Sequence, residues 1–180
     1  MDRYQLVEGI GVYFVTFTVV EWLPIFLEEQ PVNILLDSIS YCIQKKDLRI
    51  CAYVVMPNHF HSVLFDANFD VNSLHSTLSN LRKFTGKKLA DYVTNRFTKS
   101  IWHILFQQNV EDRTRRFWSP GWHAEGLFSE EFLNQKVNYI HWNPCRKGFV
   151  REPQDWRWSS AAYWLDGKTV DLPIADVLWG

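Results

Sequence analysis

His59 and His61 flank a single phenylalanine in the run Met56-Pro57-Asn58-His59-Phe60-His61-Ser62-Val63-Leu64-Phe65. If this run is extended, residues i and i+2 point to the same face, roughly 7 Å apart along the chain. Both imidazoles then lie side by side while Phe60 turns to the other face, a geometry that can grip one metal ion. Apolar Tyr53-Val54-Val55 precedes the pair and Val63-Leu64-Phe65 follows it. Two histidines in the middle of a buried strand are costly unless something occupies them.

A metal needs more than two protein ligands. Asn138-Tyr139-Ile140-His141-Trp142-Asn143-Pro144 supplies a second set of polar groups. On a helix Tyr139 and Asn143 are i and i+4 and share a face. Should that face meet the histidines, the Asn143 carbonyl oxygen can complete the ligand set, with the Tyr139 phenol beside the ion. His141 points off that face and suits a supporting or packing role. His123 is a weaker candidate.

These residues need a scaffold. Tyr13–Val20 is rich in β-branched and aromatic residues and reads as a strand. Ile34, Leu35, Ile39, Cys42 and Ile43 recur at helical spacing between Pro31 and about Lys46. Strands follow over 48–55 and 59–65, and the short link between them makes an antiparallel hairpin. Asn72 or Ser73 caps a helix through Leu74, Leu78, Leu81 and Phe84 to about Tyr92. Residues 97–118 are ambiguous, with a loop over 107–116. Trp122–Phe128 supplies a short fourth strand. Ser129, followed by Glu130 and Glu131, opens a helix that stops at Pro144. The order β-α-β-β-α-β-α predicts an α+β fold, an antiparallel sheet with helices on one side.

At 180 residues, 47% of them hydrophobic, the chain suffices for one domain with a substantial core. No apolar run reaches the roughly 18 residues of a membrane span, and the start lacks a signal-peptide pattern, so a cytoplasmic location is expected. Three cysteines without metal-type spacing agree with a reducing compartment. The net charge of −1 does not announce a nucleic-acid binder, but its distribution is uneven. Residues 80–116 carry nine basic against three acidic side chains, and residues 1–47 three against seven. Such polarity allows a polyanion on one face. Arg82, Lys83, Lys87 and Lys88 on one helix, Arg113, Arg115 and Arg116 in a loop, and Arg146 and Lys147 near the Tyr139 segment are the candidate phosphate contacts. Trp118, Trp122 and Trp142 are candidates for stacking on unpaired bases.

The Met-Pro-Asn-His-Phe-His strand, the Tyr-Ile-His-Trp-Asn-Pro helix end, Arg146-Lys147-Gly148-Phe149-Val150 and Trp156-Arg157-Trp158-Ser159-Ser160 occur in that order. Together they resemble the REP-associated tyrosine transposases, of the HUH single-strand transposase superfamily, over roughly residues 10–165. The resemblance implies a ferredoxin-like core over about 10–150 with an aromatic-rich C-terminal extension over about 151–180, within a single domain. It implies Mg²⁺ or Mn²⁺ and cleavage and rejoining of single-stranded or hairpin DNA through a 5′-phosphotyrosine. Residue by residue, His59 and His61 match the metal pair and Tyr139 the nucleophile. Asn143 stands where the superfamily often has glutamine, one methylene longer. Superfamily relatives include monomers and homodimers. Two alternatives remain: a hairpin-binding protein of the same fold that does not transpose, and a phosphodiesterase that uses water.

Overall fold

The computed structural model describes residues 6, 9–98 and 116–177. Four strands, β1 (Val12–Thr18), β2 (Leu48–Met56), β3 (His59–Asp66) and β4 (His123–Leu127), form one sheet. Its order is β2-β3-β1-β4, with every neighbouring pair antiparallel. Helix α1 (Glu29–Lys45) joins β1 to β2, and α2 (Val71–Arg96) joins β3 to β4. Each helix thus crosses over one intervening strand, the topology of a ferredoxin-like core. α3 (Glu130–Arg146) and a short α4 (Ala161–Asp166) complete the α-helices among the described residues. None of these helices is long and apolar enough to cross a membrane.

The two faces of the sheet carry different cores. Tyr13, Val15 and Phe17 of β1, with Phe60 and Leu64 of β3, pack against α1 and α2. Val12 and Phe14, with Val63 and Phe65, pack against Leu133, Val137 and Ile140 of α3. β3 is buried at all eight positions and β2 at eight of nine, so neither strand shows a solvent face. A sheet apolar on both sides needs cover on both. α1 and α2 supply it on one face, and α3 supplies it on the other, the face that carries the histidines.

Local boundaries differ from the sequence expectation: β1 ends at Thr18 and not Val20, and α2 runs on past Tyr92 to Arg96. The α2 cap is Asp70, whose Oδ1 accepts from the amides of Asn72 and Ser73 at 2.8 and 3.0 Å. A carboxylate there serves two otherwise unpaired amides and favours the positive helix end. α3 continues through Pro144 to Arg146. Its proline sits in the last turn, where few backbone bonds are lost. Burial of Asn143 and Pro144 holds the helical path. The Ser129 cap is as expected, accepting from the Phe132 amide at 3.2 Å.

β2 is an edge strand, and the C-terminal extension covers it. Val55 N donates to Trp158 O at 2.8 Å, Ser160 N to Tyr53 O at 3.0 Å and Ala175 N to Ile50 O at 2.8 Å. The indoles of Trp156 and Trp164 donate to the carbonyls of Val55 and Cys51 at 3.0 and 2.9 Å. Main-chain groups that would otherwise template pairing with another chain are thereby satisfied.

Candidate metal and nucleophile site

Pro57 and Asn58 form a two-residue turn that leaves His59 paired with Met56 at the hairpin's mouth. The turn is anchored from outside: Val19 N donates to Asn58 O and Phe26 N to Pro57 O, both at 2.9 Å. Position His61 lies opposite Thr16 of β1. The strand period therefore puts His59 and His61 on the α3 face, their ring centroids 4.6 Å apart. Phe14 stacks on His61 at 5.2 Å from the same face.

Each imidazole is held through one nitrogen. His59 Nδ1 lies 2.7 Å from Asn58 Oδ1, and His61 Nδ1 lies 2.7 Å from Thr16 Oγ1. A carbonyl oxygen is the natural acceptor for an N–H, so His59 carries its proton on Nδ1 and leaves the Nε2 lone pair available. The same tautomer follows at His61 when the Thr16 oxygen accepts. Burial pushes the His59 pKa down to about 4, helped by the positive charge of Lys147. His61 is driven well below the ordinary histidine range, by burial first and then by His59, His123 and Lys136. Both rings are neutral near pH 7, and a neutral imidazole oriented by a hydrogen bond on its far nitrogen is the form that binds a cation.

α3 brings the phenol. The Tyr139 ring centroid stands 5.4 Å from that of His61 and 5.8 Å from that of Phe14, edge-on to both. Tyr139 remains 40% exposed, open to a substrate from solvent. The Arg146 guanidinium lies 5.3 Å over its ring. Asn143, one turn after Tyr139, is 5% exposed, and its side-chain amide has no hydrogen-bond partner among the described residues. No group of three or more His, Cys, Asp or Glu side chains that could hold a metal occurs among the described residues. Asn143, the third donor expected from sequence, lies one turn after Tyr139 on α3. Two neutral imidazoles side by side suit a divalent ion with open positions.

His141 turns away from the site. Burial pushes its pKa down to about 4, and its Nε2 lies 2.9 Å from Ser160 Oγ. Ser160 Oγ in turn accepts from the Tyr53 amide at 2.9 Å. The histidine thus ties α3 to β2 and the extension, the supporting role expected from its position.

The candidate phosphate contacts divide among several places. Arg146 and Lys147 stand by Tyr139 and His59 respectively. Arg82, Lys83, Lys87 and Arg116 line a cavity of about 660 Å³ between α2 and the segment around Ser119. α2 packs on the other face of the sheet from the histidines. Arg82 donates to Ser119 O at 2.7 Å, and burial with the nearby Arg116 charge lowers its pKa to about 10. Lys88 lines a different cleft, beside Asp91 and Arg96. Arg113 and Arg115, with most of the expected 107–116 loop, lie outside the described residues. Trp118 is 4% exposed and donates to Thr85 Oγ1 at 3.0 Å, so it is a core residue and not a stacking surface. Trp122 packs on Phe17, whereas Trp142 is 44% exposed.

Two contributors were not singled out from sequence. Thr16 orients His61, and Lys136 lies 4.8 Å over the Phe14 ring while paired with Glu125 at 2.5 Å. The signal for Thr16 is the β1 face that reads Val12, Phe14, Thr16, Thr18: it turns from apolar to polar where it meets the histidines.

No protein-family model matches the chain, and no curated protein does. Among solved structures, one described as a REP-associated tyrosine transposase bound to a REP hairpin superposes with a TM-score of 0.68. The alignment covers 100% of this chain and 95% of that one at 18% identity. The chain has the fold of that transposase. A Deinococcus radiodurans protein described as a candidate transposase aligns more loosely, with a TM-score of 0.44 and 18% identity over 78% of this chain and 95% of that one.

Proposed function

We propose that the chain is a tyrosine transposase that cleaves and rejoins single-stranded DNA at hairpin or palindromic repeats. The convergence of an imidazole pair from a strand and a phenol from a distant helix carries this proposal, with the Tyr139 and His61 rings 5.4 Å apart. His59, His61 and Asn143 would hold the cation, Mg²⁺ or Mn²⁺. When bound, that ion supplies Lewis-acid neutralisation of the scissile phosphate's non-bridging oxygens.

The chain's own groups do the rest. Tyr139 attacks phosphorus, its phenolic proton leaving to solvent or a nearby base. The P–O3′ bond breaks, the 3′-oxygen takes up a proton and departs as a hydroxyl, and the 5′-phosphate stays on the tyrosine as a diester. No water is consumed, so another 3′-hydroxyl can reverse the step and join a new strand. Arg146 and Lys147, close to Tyr139 and His59, would neutralise adjoining phosphates. The cations around the Arg82 cavity would hold more distant backbone with affinity that falls as salt rises.

Incubation with labelled single-stranded hairpin DNA and Mn²⁺ tests the proposal. A covalent protein–DNA adduct is expected from the wild type and none from Tyr139→Phe. His59→Ala or His61→Ala should abolish the adduct while largely sparing DNA binding. Binding without any adduct would indicate a hairpin-binding protein, and cleavage without an adduct a water-using phosphodiesterase. Either result refutes strand transfer through Tyr139.

A further inference from the structure

Directly after β1, Glu21 and Trp22 both occupy the left-handed backbone region, with φ of 51° and 56°. Side chains other than glycine and asparagine seldom adopt it, because Cβ crowds the carbonyl oxygen. Two in succession require firm anchorage, and the anchors are visible. Val20 N donates to Phe117 O at 2.9 Å, Trp22 N to Val19 O at 3.0 Å and Phe26 N to Pro57 O at 2.9 Å. Val20, Ile25 and Phe26 are buried on either side of the turn.

Trp22 itself gains little from folding, since it is 63% exposed. Its ring contact is edge-on to His59, centroid to centroid 6.0 Å. An indole that filled the core would need no strained turn, and a turn that only changed direction would need no indole. Strain that presents a large flat side chain beside a reactive pair is the pattern of a ligand contact.

We infer that Trp22 is a stacking platform for an unpaired nucleobase next to the scissile phosphate that would lie at the His59 and His61 site. Every base offers a π face, so the contact orients the strand without reading its sequence. The inference rests on the proposed DNA-cleaving function for the identity of the ligand. It assigns Trp22 a positioning role and no part in bond making.

The test uses the full chain carrying Tyr139→Phe, with Mn²⁺ and hairpin oligonucleotides flanked by single strands of mixed sequence. Abasic sites are scanned through the flanks. Trp22→Ala should weaken binding about 10-fold, within the range for loss of one base–aromatic stack, and Trp22→Phe should restore most of it. One abasic position should weaken the Trp22-containing protein about as much and cost nothing further in Trp22→Ala. Unchanged binding in Trp22→Ala, or losses that simply add at every abasic position, overturns the inference. Equal circular dichroism and melting of the variants exclude misfolding as the cause. Adduct formation by protein with Tyr139 intact reads the wider proposal separately. Adduct without Trp22–base coupling sinks only the stacking role, and coupling without adduct sinks only strand transfer. A chain that binds no such DNA sinks both.

Discussion

Thr16→Val tests whether the strand opposite the histidines tunes the cation site. Valine keeps the β-branched shape that suits β1, but it removes the oxygen 2.7 Å from His61 Nδ1. His61 is 6% exposed, enclosed by Phe14 and Tyr139, so an Nδ1–H that donates to Thr16 would gain no water in exchange. An unpartnered buried donor costs about 1–3 kcal/mol. The ring can escape by moving its proton to Nε2, and that removes the lone pair which would face a cation. Either response weakens metal binding, and losses of this kind run to about 10–100-fold. Calorimetric titration with Mn²⁺ should show that weakening in Thr16→Val. Thr16→Ser, which retains the oxygen, should stay near wild type. Adduct formation at limiting Mn²⁺ should fall in parallel. If Thr16→Val binds Mn²⁺ as tightly as wild type, or if serine fails as badly as valine, the proposed role of the Thr16–His61 contact is refuted.

Further outcomes follow from the buried histidines, the extension and the basic cavity. His59 and His141 have pKa values of about 4 against 6.5 unfolded, so above pH 6.5 both are neutral in either state and impose no cost. As pH falls from 6.5 to about 4 the unfolded chain takes up protons that the fold refuses. In metal-free buffer each histidine should then cost about 1.4 kcal/mol of stability per pH unit. His59 or His141 imidazole resonances that titrate near pH 6.5 in the folded protein would contradict this. Ser160→Ala removes the acceptor of the Tyr53 amide and the partner of His141, a loss of about 1–3 kcal/mol that should lower the melting temperature by several degrees. An unshifted melting curve would show that the extension does not brace α3. Lys83→Gln with Lys87→Gln should weaken hairpin binding and flatten the slope of log K against log salt by about 1.5. Lys45→Gln with Lys46→Gln, an equal charge change at the C-terminal end of α1, should leave that slope nearly unchanged; an equal effect of the two pairs would argue against a cavity-specific contact.

Much of the site was legible in the chain because short-range periods dictate it. His59 and His61 share a face in any strand, and Tyr139 and Asn143 share one in any helix, whatever the partners. The hairpin at Pro57-Asn58, the Ser129 cap and the sheet's element order are likewise local consequences of turn chemistry, capping and apolar spacing. What no local rule reaches is which surfaces meet. Only packing assigns α3 to the histidine face and α1 and α2 to the other, because both faces of β2 and β3 are apolar and either could have received any helix. The same holds for Trp118, which by composition could stack on DNA but is enclosed by Phe17, Phe26 and Phe117. It holds for the Thr16–His61 bond, which depends on strand register, and for Trp22, whose place beside His59 rests on Val19 N donating to Asn58 O of the hairpin turn and Val20 N donating to Phe117 O in the segment before β4. Residue spacing determined the chemistry on offer; burial and register, which sum contacts across the whole chain, decided which groups stand together.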